Sequence, residues 1–225
     1  MTRARAAKAR GRGTGARRRS SGYRSLVQQV QCTFGSPRGV TVLELVFAMA
    51  VAVTAGAMAV ASATAAIDEM RTALAARYMA GRIAATRIDA LRRGTAVGLR
   101  FEAAGDDYMF AAYEDGNGNG VRTAEIRAGV DRAVGPFERL GSTFPGVRFE
   151  LASGLPDADG SVGTGTDGVR IGSARILTMG EDGTATSGTL YIRGRRGQYA
   201  VRVLGVTGRT RMLQYVSGDG TWLSR

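Results

Sequence analysis

Residues 38–67 read RGVTVLELVFAMAVAVTAGAMAVASATAAI. Glu44 is the one charged residue after Arg38 in this stretch, and residues 45–67 carry no charge at all. A helix needs about 20 apolar residues to cross the hydrocarbon core of a bilayer. We therefore predict that residues 40–67 form the membrane-spanning half of a long N-terminal helix.

Two other kinds of apolar segment share part of this pattern. A soluble protein can bury such an Ala-rich helix in its core. A secretory signal peptide has a shorter apolar core of about 7–15 residues followed by small residues at a cleavage site, and Ala61-Ser62-Ala63 is similar to such a site. The length of the uncharged run and the basic segment before it favour the membrane span.

The segment before this helix, residues 1–39, is rich in Arg, Gly and Ser and contains ten basic residues without any Asp or Glu. The whole chain has 31 basic and 19 acidic residues, so removing these ten leaves 21 basic against 19 acidic groups. Polybasic arms can bind nucleic acid or anionic lipid. One that directly precedes an apolar helix more often sets its orientation, with the basic side in the cytoplasm. We predict a basic cytoplasmic leader over 1–39.

The helical pattern continues beyond the apolar segment. Arg92 and Arg93 suit the last turn of a helix, and Gly94 suits the residue that ends it. We predict that residues 68–94 form an amphipathic half of the same helix and pack one face on a domain. The expected packing stripe recurs at steps of three or four residues: Ile67, Met70, Leu74, Tyr78, Gly81, Ala85 and Ile88.

After Gly94 the sequence changes to short apolar runs separated by Gly, Asn and Asp. Alternation of apolar and polar residues in such runs is typical of half-buried strands. We predict an α+β fold in which the long helix packs on an antiparallel β-sandwich-like domain formed by residues 95–225. The strands are expected at 95–101, 107–113, 121–127, 147–151, 169–172, 174–179, 188–193, 198–204 and 209–216.

The residue types limit the chemistry that the chain can perform. It has no His and a single Cys, Cys32, which excludes a Cys/His zinc site of about four ligands and a His-based catalytic triad. Its only lysine is Lys8, inside the leader. Because no convincing pair of titratable groups stands out, we predict that the chain is not an enzyme and uses no catalytic cofactor.

The segment RGVTVLEL at 38–45 resembles the processing site of type IV prepilins and type II secretion pseudopilins. The resemblance implies that prepilin peptidase cuts between Gly39 and Val40 on the cytoplasmic face and that the new terminus at Val40 is N-methylated. It also implies that Glu44 pairs with the α-amino group of a neighbouring subunit during filament assembly. Cys32 would leave with the leader.

The rest of the chain resembles the GspH/FimT group of minor pseudopilins, in ARYMAGRIAATRIDALRRG, TAVGLRF, YEDGNGNGVRTAEI and GQYAVRVLGVTGRTR. This resemblance implies the pilin fold, with a long helix under two β-sheets. It implies a single-pass inner-membrane protein with a periplasmic domain over 95–225, partnered by other pilins or pseudopilins. The implied function is that of a minor pseudopilin in a type II secretion system. The alternative is a minor type IV pilin for pilus assembly or DNA uptake.

A calcium-loop pattern begins at Asp115, where oxygen-bearing side chains alternate as Asp115, Asn117 and Asn119 before Gly120. An EF-hand loop requires a bidentate Glu at its twelfth position, but Ile126 stands there and Glu125 is one place early. The pattern equally fits a Gly/Asn turn between strands, since both residues adopt positive φ readily. A calcium site and a plain turn therefore both remain open.

Gly208-Arg209-Thr210-Arg211 lies in a C-terminal region with a basic excess. In the FimT branch a Gly-Arg-x-Arg stretch is associated with DNA capture, and paired arginines bind phosphates without sequence preference. Arg209 and Arg211 are therefore candidate DNA-binding residues. A solvated strand face or contacts between subunits would account for the same residues.

Overall fold

The structure is a computed structural model that describes residues 39–161 and 165–225. The expected leader therefore lies outside the described residues, apart from Gly39. The chain divides into two compact units, Met1–Phe47 and Ala48–Arg225. A long N-terminal helix and two antiparallel sheets establish the α+β class.

Helix α1 spans Val42–Arg93 and contains 52 residues. Thr41 precedes it in a non-helical conformation and accepts a hydrogen bond from the Glu44 N–H through its hydroxyl, at 3.2 Å. Gly94 ends the helix at φ +64°, and its N–H donates to the Ala90 carbonyl at 3.0 Å. Arg92 and Arg93 occupy the last turn, where the helix dipole favours cations.

The face of α1 that packs into the core is not the expected one. Met70 and Ile88 of the expected stripe are 63% and 54% exposed. At 100° per residue, the buried residues lie on the opposite side of the helix. The helix has two apolar faces, and spacing alone does not tell which of them a domain covers. The buried face consists of Thr72, Ala75, Ala76, Met79, Ile83, Thr86 and Ala90.

The C-terminal region forms a five-stranded and a six-stranded sheet, both antiparallel. The strands of the first sheet are β1 (Val97–Ala104), β2 (Asp107–Glu114), β3 (Arg132–Ala133), β4 (Glu138–Arg139) and β7 (Ile176–Met179). The strands of the second are β5 (Arg148–Phe149), β6 (Val169–Arg170), β8 (Gly188–Arg193), β9 (Gln198–Leu204), β10 (Arg209–Val216) and β11 (Thr221–Ser224). Their orders are β3-β2-β1-β7, with β4 also on β2, and β11-β10-β9-β8-β5, with β6 also on β8.

The strand expected at 121–127 is wrong, because this segment forms helix α2, Thr123–Ala128. Ala, Glu and Arg in its sequence are good helix formers. Gly129 ends the helix in the left-handed conformation, at φ +75°, as is common for a residue after a helix. A further short helix, α3, spans Leu140–Thr143. Strands β3, β4 and β11 were not predicted from the sequence.

Helix α1 and both sheets contribute side chains to one buried cluster. Polar contacts reinforce this packing at the helix surface. Arg82 Nη2 lies 2.7 Å from Glu138 Oε1, and the Tyr78 hydroxyl donates to the same carboxylate. Arg87 Nε donates to the Gly183 carbonyl at 3.2 Å. The main members of the cluster are Ala76, Met79 and Ile83 from the helix, Leu99 and Phe110 from the first sheet, and Leu190 and Val201 from the second.

Candidate functional sites

The expected processing site lies in exposed, non-helical backbone. Gly39, Val40 and Thr41 precede α1, and Val40 is 68% exposed. The Thr41 hydroxyl accepts from the Glu44 N–H, and its carbonyl accepts from the Leu45 N–H at 3.1 Å. Thr41 is thus the N-cap of the helix. The Gly39–Val40 bond therefore lies just outside the helix, which begins at Val42.

The Glu44 carboxylate has no hydrogen bond or ion pair with any of residues 39–161 or 165–225. Thr41 and Glu44 have the spacing of a capping box, but only its threonine half is formed. A carboxylate in the first turn is compatible with the helix dipole. Glu44 is therefore a carboxyl group at the start of an apolar helix with no partner among the described residues.

The apolar half of α1 is solvent-exposed in the isolated chain. Its large side chains range from 46% exposed at Ile67 to 80% at Val42 and Leu43. In the described part of the chain, α1 is the one helix that is long and apolar enough to cross a membrane. Exposure on this scale calls for a covering environment, because contiguous apolar surface of this extent is rare on soluble monomers.

The loop that begins at Asp115 is organised by two buried carboxylates. Asp115 accepts hydrogen bonds from the backbone N–H groups of Asn117, Gly118 and Gly120, at 3.0, 2.9 and 2.6 Å. Burial opposes its ionisation, but these backbone donors outweigh burial and hold the pKa of Asp115 below its ordinary value. The second carboxylate, Asp131, is 2% exposed and accepts from the N–H groups on either side of the loop.

Two of the three candidate calcium ligands come together on one further residue, Glu125. Asn117 and Asn119 each donate through Nδ2 to Glu125 Oε1, at 3.2 and 2.7 Å. Searching residues 39–161 and 165–225 finds no group of three His, Cys, Asp or Glu side chains arranged to hold a metal ion. The Asp115 oxygens already accept three backbone hydrogen bonds, so the geometry favours a closed polar turn. Asp131 was missed because nothing in its spacing marks it as part of the loop.

Arg209 and Arg211 are exposed on β10. Arg211 lies directly opposite Arg202 of β9, and Arg202 lies opposite Thr189 of β8. Like charges at directly opposite positions destabilise a sheet, and none of these three arginines has an ion pair among the residues that the structure describes. Arg202 could not be assigned to this patch from sequence, because the pairing register brings it there.

The glycine of the Gly-Arg-x-Arg stretch has a structural role. Gly208 has φ +59°, and a Cβ there would lie 2.6 Å from the Gly183 carbonyl oxygen and 3.0 Å from Arg87 Nε. Only glycine allows Arg87 of the helix to reach between these two turns. This packing accounts for the glycine without any DNA contact, whereas the two arginines that follow it are exposed on β10.

Comparison of the chain with protein-family models, with curated proteins and with solved structures finds no match. The interpretation of these sites therefore depends on the residues themselves and on the local geometry described above.

Proposed function

We propose that this chain is a minor pseudopilin of a type II secretion system, built as a pilin fold with a β-sandwich-like periplasmic domain. The observation that carries the proposal is the Glu44 carboxylate in the first turn of an apolar helix, which has no partner in the described part of the chain. Glu44 is the fifth residue after the Gly39–Val40 bond, which lies in an exposed, non-helical segment. The basic leader, this junction and the acidic residue in the helix occur in the order that the pseudopilin processing site requires.

The first step is proteolysis by prepilin peptidase at the cytoplasmic face of the inner membrane. Hydrolysis of the Gly39–Val40 bond consumes one water and leaves a carboxylate on Gly39 and an amine on Val40. The exposure of Val40 and the position of the bond before the N-cap support the assignment, because a peptidase needs an accessible bond outside the helix. N-methylation of Val40 follows in the proposed sequence, and Cys32 departs with the leader.

The second step is assembly with other pilins or pseudopilins through Glu44. An isolated charge inside a membrane costs about 2.5–3.5 kcal/mol at the helix centre on insertion scales, and pairing offsets this cost. The Val40 amine of an adjacent subunit supplies a cation of the right sign. Pairing between the two groups sets the axial register of each new subunit as the helices pack together.

The exposed stripe on the second half of α1 supports helix packing beyond the membrane. Its members lie opposite the core-facing side of the helix and continue the apolar surface of the first half. Since the domain leaves this stripe uncovered, we assign it to contacts with helices of neighbouring subunits. The large exposed residues of the stripe are Ile67, Met70, Leu74 and Ile88, which are 43–63% exposed.

The proposal predicts a specific loss in Glu44→Gln. The variant should insert into the inner membrane and be processed, yet enter filaments roughly tenfold less than the wild type or worse, since a charge-assisted hydrogen bond contributes about 1.5–3 kcal/mol. Sheared filament fractions and membrane fractions measure the two properties separately. Glu69→Gln, which removes an exposed acid from the same helix beyond the apolar segment, is the matched control. Normal incorporation of Glu44→Gln would rule out the assembly role.

A second candidate function is a minor type IV pilin that helps pilus assembly or DNA uptake. Arg211 and Arg202 lie directly opposite each other, and neither has an ion pair among the described residues. This favours the second candidate, because the phosphates of a bound DNA strand would relieve the repulsion between the two arginines. Filter binding should then show weaker, less salt-dependent DNA retention by Arg209→Ala/Arg211→Ala. Arg127→Ala/Arg132→Ala removes the same charge elsewhere and should bind as the wild type does. Equal binding by all three proteins would eliminate this site.

A further inference from the structure

The turn between β8 and β9 is basic and packs on the helix close to the end of the apolar segment. It reads Gly194-Arg195-Arg196-Gly197 and is closed by a hydrogen bond from the Gly194 N–H to the Gly197 carbonyl at 2.9 Å. Any Cβ at Gly194 would overlap Thr72 Oγ1, and one at Gly197 would lie 3.4 Å from Thr72 Cβ. The two glycines therefore seat the turn directly against Thr72.

The position of Thr72 fixes where the turn stands relative to the membrane. Asp68 is the first charged residue after the uncharged run that ends at Ile67. Thr72 lies four residues farther on, which is about 6 Å along the helix axis. This distance is shorter than the Debye length of about 8 Å at physiological ionic strength. In a membrane-inserted chain, the turn would be within the electrostatic reach of lipid headgroups.

The charges of this turn are available for such an interaction. Arg195 and Arg196 are exposed, and neither has an ion pair with another described residue. The acids near the membrane edge are partly engaged, since Asp68 faces Arg71 at 3.6 Å and Glu69 accepts from Gln214 at 3.4 Å. The β8–β9 turn, although distant from α1 in sequence, therefore places Arg195 and Arg196 beside the helix, and neither has an ion pair in the described part of the chain.

A cleft of about 370 Å³ lies beside the turn. Arg195 lines it together with Arg139, which also has no carboxylate partner among the described residues. Asp106 and Asp107 line the cleft as well, but Asp107 accepts from the Phe149 N–H at 2.9 Å. The guanidinium groups at this cleft suit a phosphate oxygen, since arginine presents several donors in a fixed fork.

We propose that the β8–β9 turn binds the phosphates of anionic lipid headgroups through Arg195 and Arg196. The contact holds the domain against the membrane surface before the subunit is drawn into a filament. The inference rests on the proposed function in one respect, because it requires the apolar half of α1 to span the bilayer. It adds a lipid partner and two residues that the pseudopilin resemblance does not assign.

The test uses the full chain in nanodiscs that carry spin-labelled phosphatidylglycerol or spin-labelled phosphatidylcholine. Electron paramagnetic resonance gives the association of each lipid with the protein, and their ratio measures selectivity. Arg195→Ala/Arg196→Ala should lower the ratio by up to about fivefold per arginine at low ionic strength. The difference from wild type should disappear in high salt. The leader contributes equally to every variant, so the difference reports the turn.

Two further variants keep the result specific. Arg195→Lys/Arg196→Lys keeps the charge and should keep most of the selectivity. Arg127→Ala/Arg132→Ala removes two exposed arginines from another part of the domain and should match the wild type. An unchanged ratio in Arg195→Ala/Arg196→Ala, or an equal fall in the Arg127/Arg132 variant, would overturn the inference. If no variant restricts lipid of either kind, the chain does not span the bilayer and the proposed function fails as well.

Discussion

At the scale of single residues, the important groups are three carboxylates. Two of them accept hydrogen bonds from backbone N–H groups, and the third has no partner among the described residues. Asp115 and Asp131 are buried and accept backbone N–H groups that would otherwise be unpaired in a tight loop. Glu44 has no such partner among the described residues, and it lies in an apolar helix. Carboxylate groups therefore stabilise the fold at Asp115 and Asp131, whereas the carboxylate of Glu44 is available for the proposed contact with another subunit.

Replacing Asp115 with Asn should destabilise the domain by about 1–3 kcal/mol, the cost of leaving buried backbone donors without an acceptor. The amide NH₂ of Asn would face either the Gly120 N–H or the N–H groups of Asn117 and Gly118. Thermal unfolding in detergent measures the effect, with Asp219→Asn in an exposed turn as the control. A stability equal to that of wild type would contradict the role of this loop. Adding calcium should leave the unfolding temperature of the wild type unchanged.

Two carboxylates with lowered pKa values, Asp115 and Asp167, predict how stability depends on pH. For Asp167, burial opposes ionisation, but the Val169 N–H, Arg175 and Tyr108 outweigh it and lower the pKa; Asp115 is lowered as well. A group with a depressed pKa in the fold stabilises above its unfolded pKa and loses that contribution as the pH falls. The free energy of unfolding should therefore be steady above about pH 5 and decline below about pH 4. Urea titrations at several pH values measure it, and a rise in stability on acidification would contradict the account.

At the scale of elements, local sequence signals predicted where helices and strands end better than they predicted which face of the helix is buried. Gly94 marks the end of α1 in the sequence, and the strand expected at 198–204 coincides with β9. The helix stripe was assigned to the wrong side because both faces of α1 are apolar. The 121–127 segment was mistaken for a strand although Gly129 after an Ala-Glu-Arg run indicates a helix end.

Gly208→Ala tests how the turn between β9 and β10 fits against the helix. A left-handed backbone costs an alanine about 1–2 kcal/mol, and the close approach to the Gly183 carbonyl and Arg87 adds to it. Gly105→Ala is the matched control, since Gly105 has φ +73° with nothing within 4 Å of its Cβ position. Urea unfolding should show a larger loss for Gly208→Ala. Equal losses in the free energy of unfolding would mean that the close approach of Arg87 and the Gly183 carbonyl does not require glycine at position 208.

At the scale of the whole molecule, the sequence predicted the α+β class but not the order of strands. Pairing such as β1 with β7 joins residues nearly 80 positions apart, and no local pattern specifies it. For the same reason Asp131, Arg202 and the Arg195–Arg196 turn could not be placed from sequence. Each reaches its position through long-range packing, whereas Gly39, Val40 and Glu44 lie within one short stretch.

The central claim is that the leader is removed so that Glu44 becomes the fifth residue of an apolar helix with a free terminal amine. Intact mass and N-terminal sequencing of the protein extracted from inner membranes, in cells that also produce prepilin peptidase, test it most directly. The account predicts a chain that begins with N-methylated Val40. A chain that retains its arginine-rich leader, or one that begins just after Ala63, would contradict it.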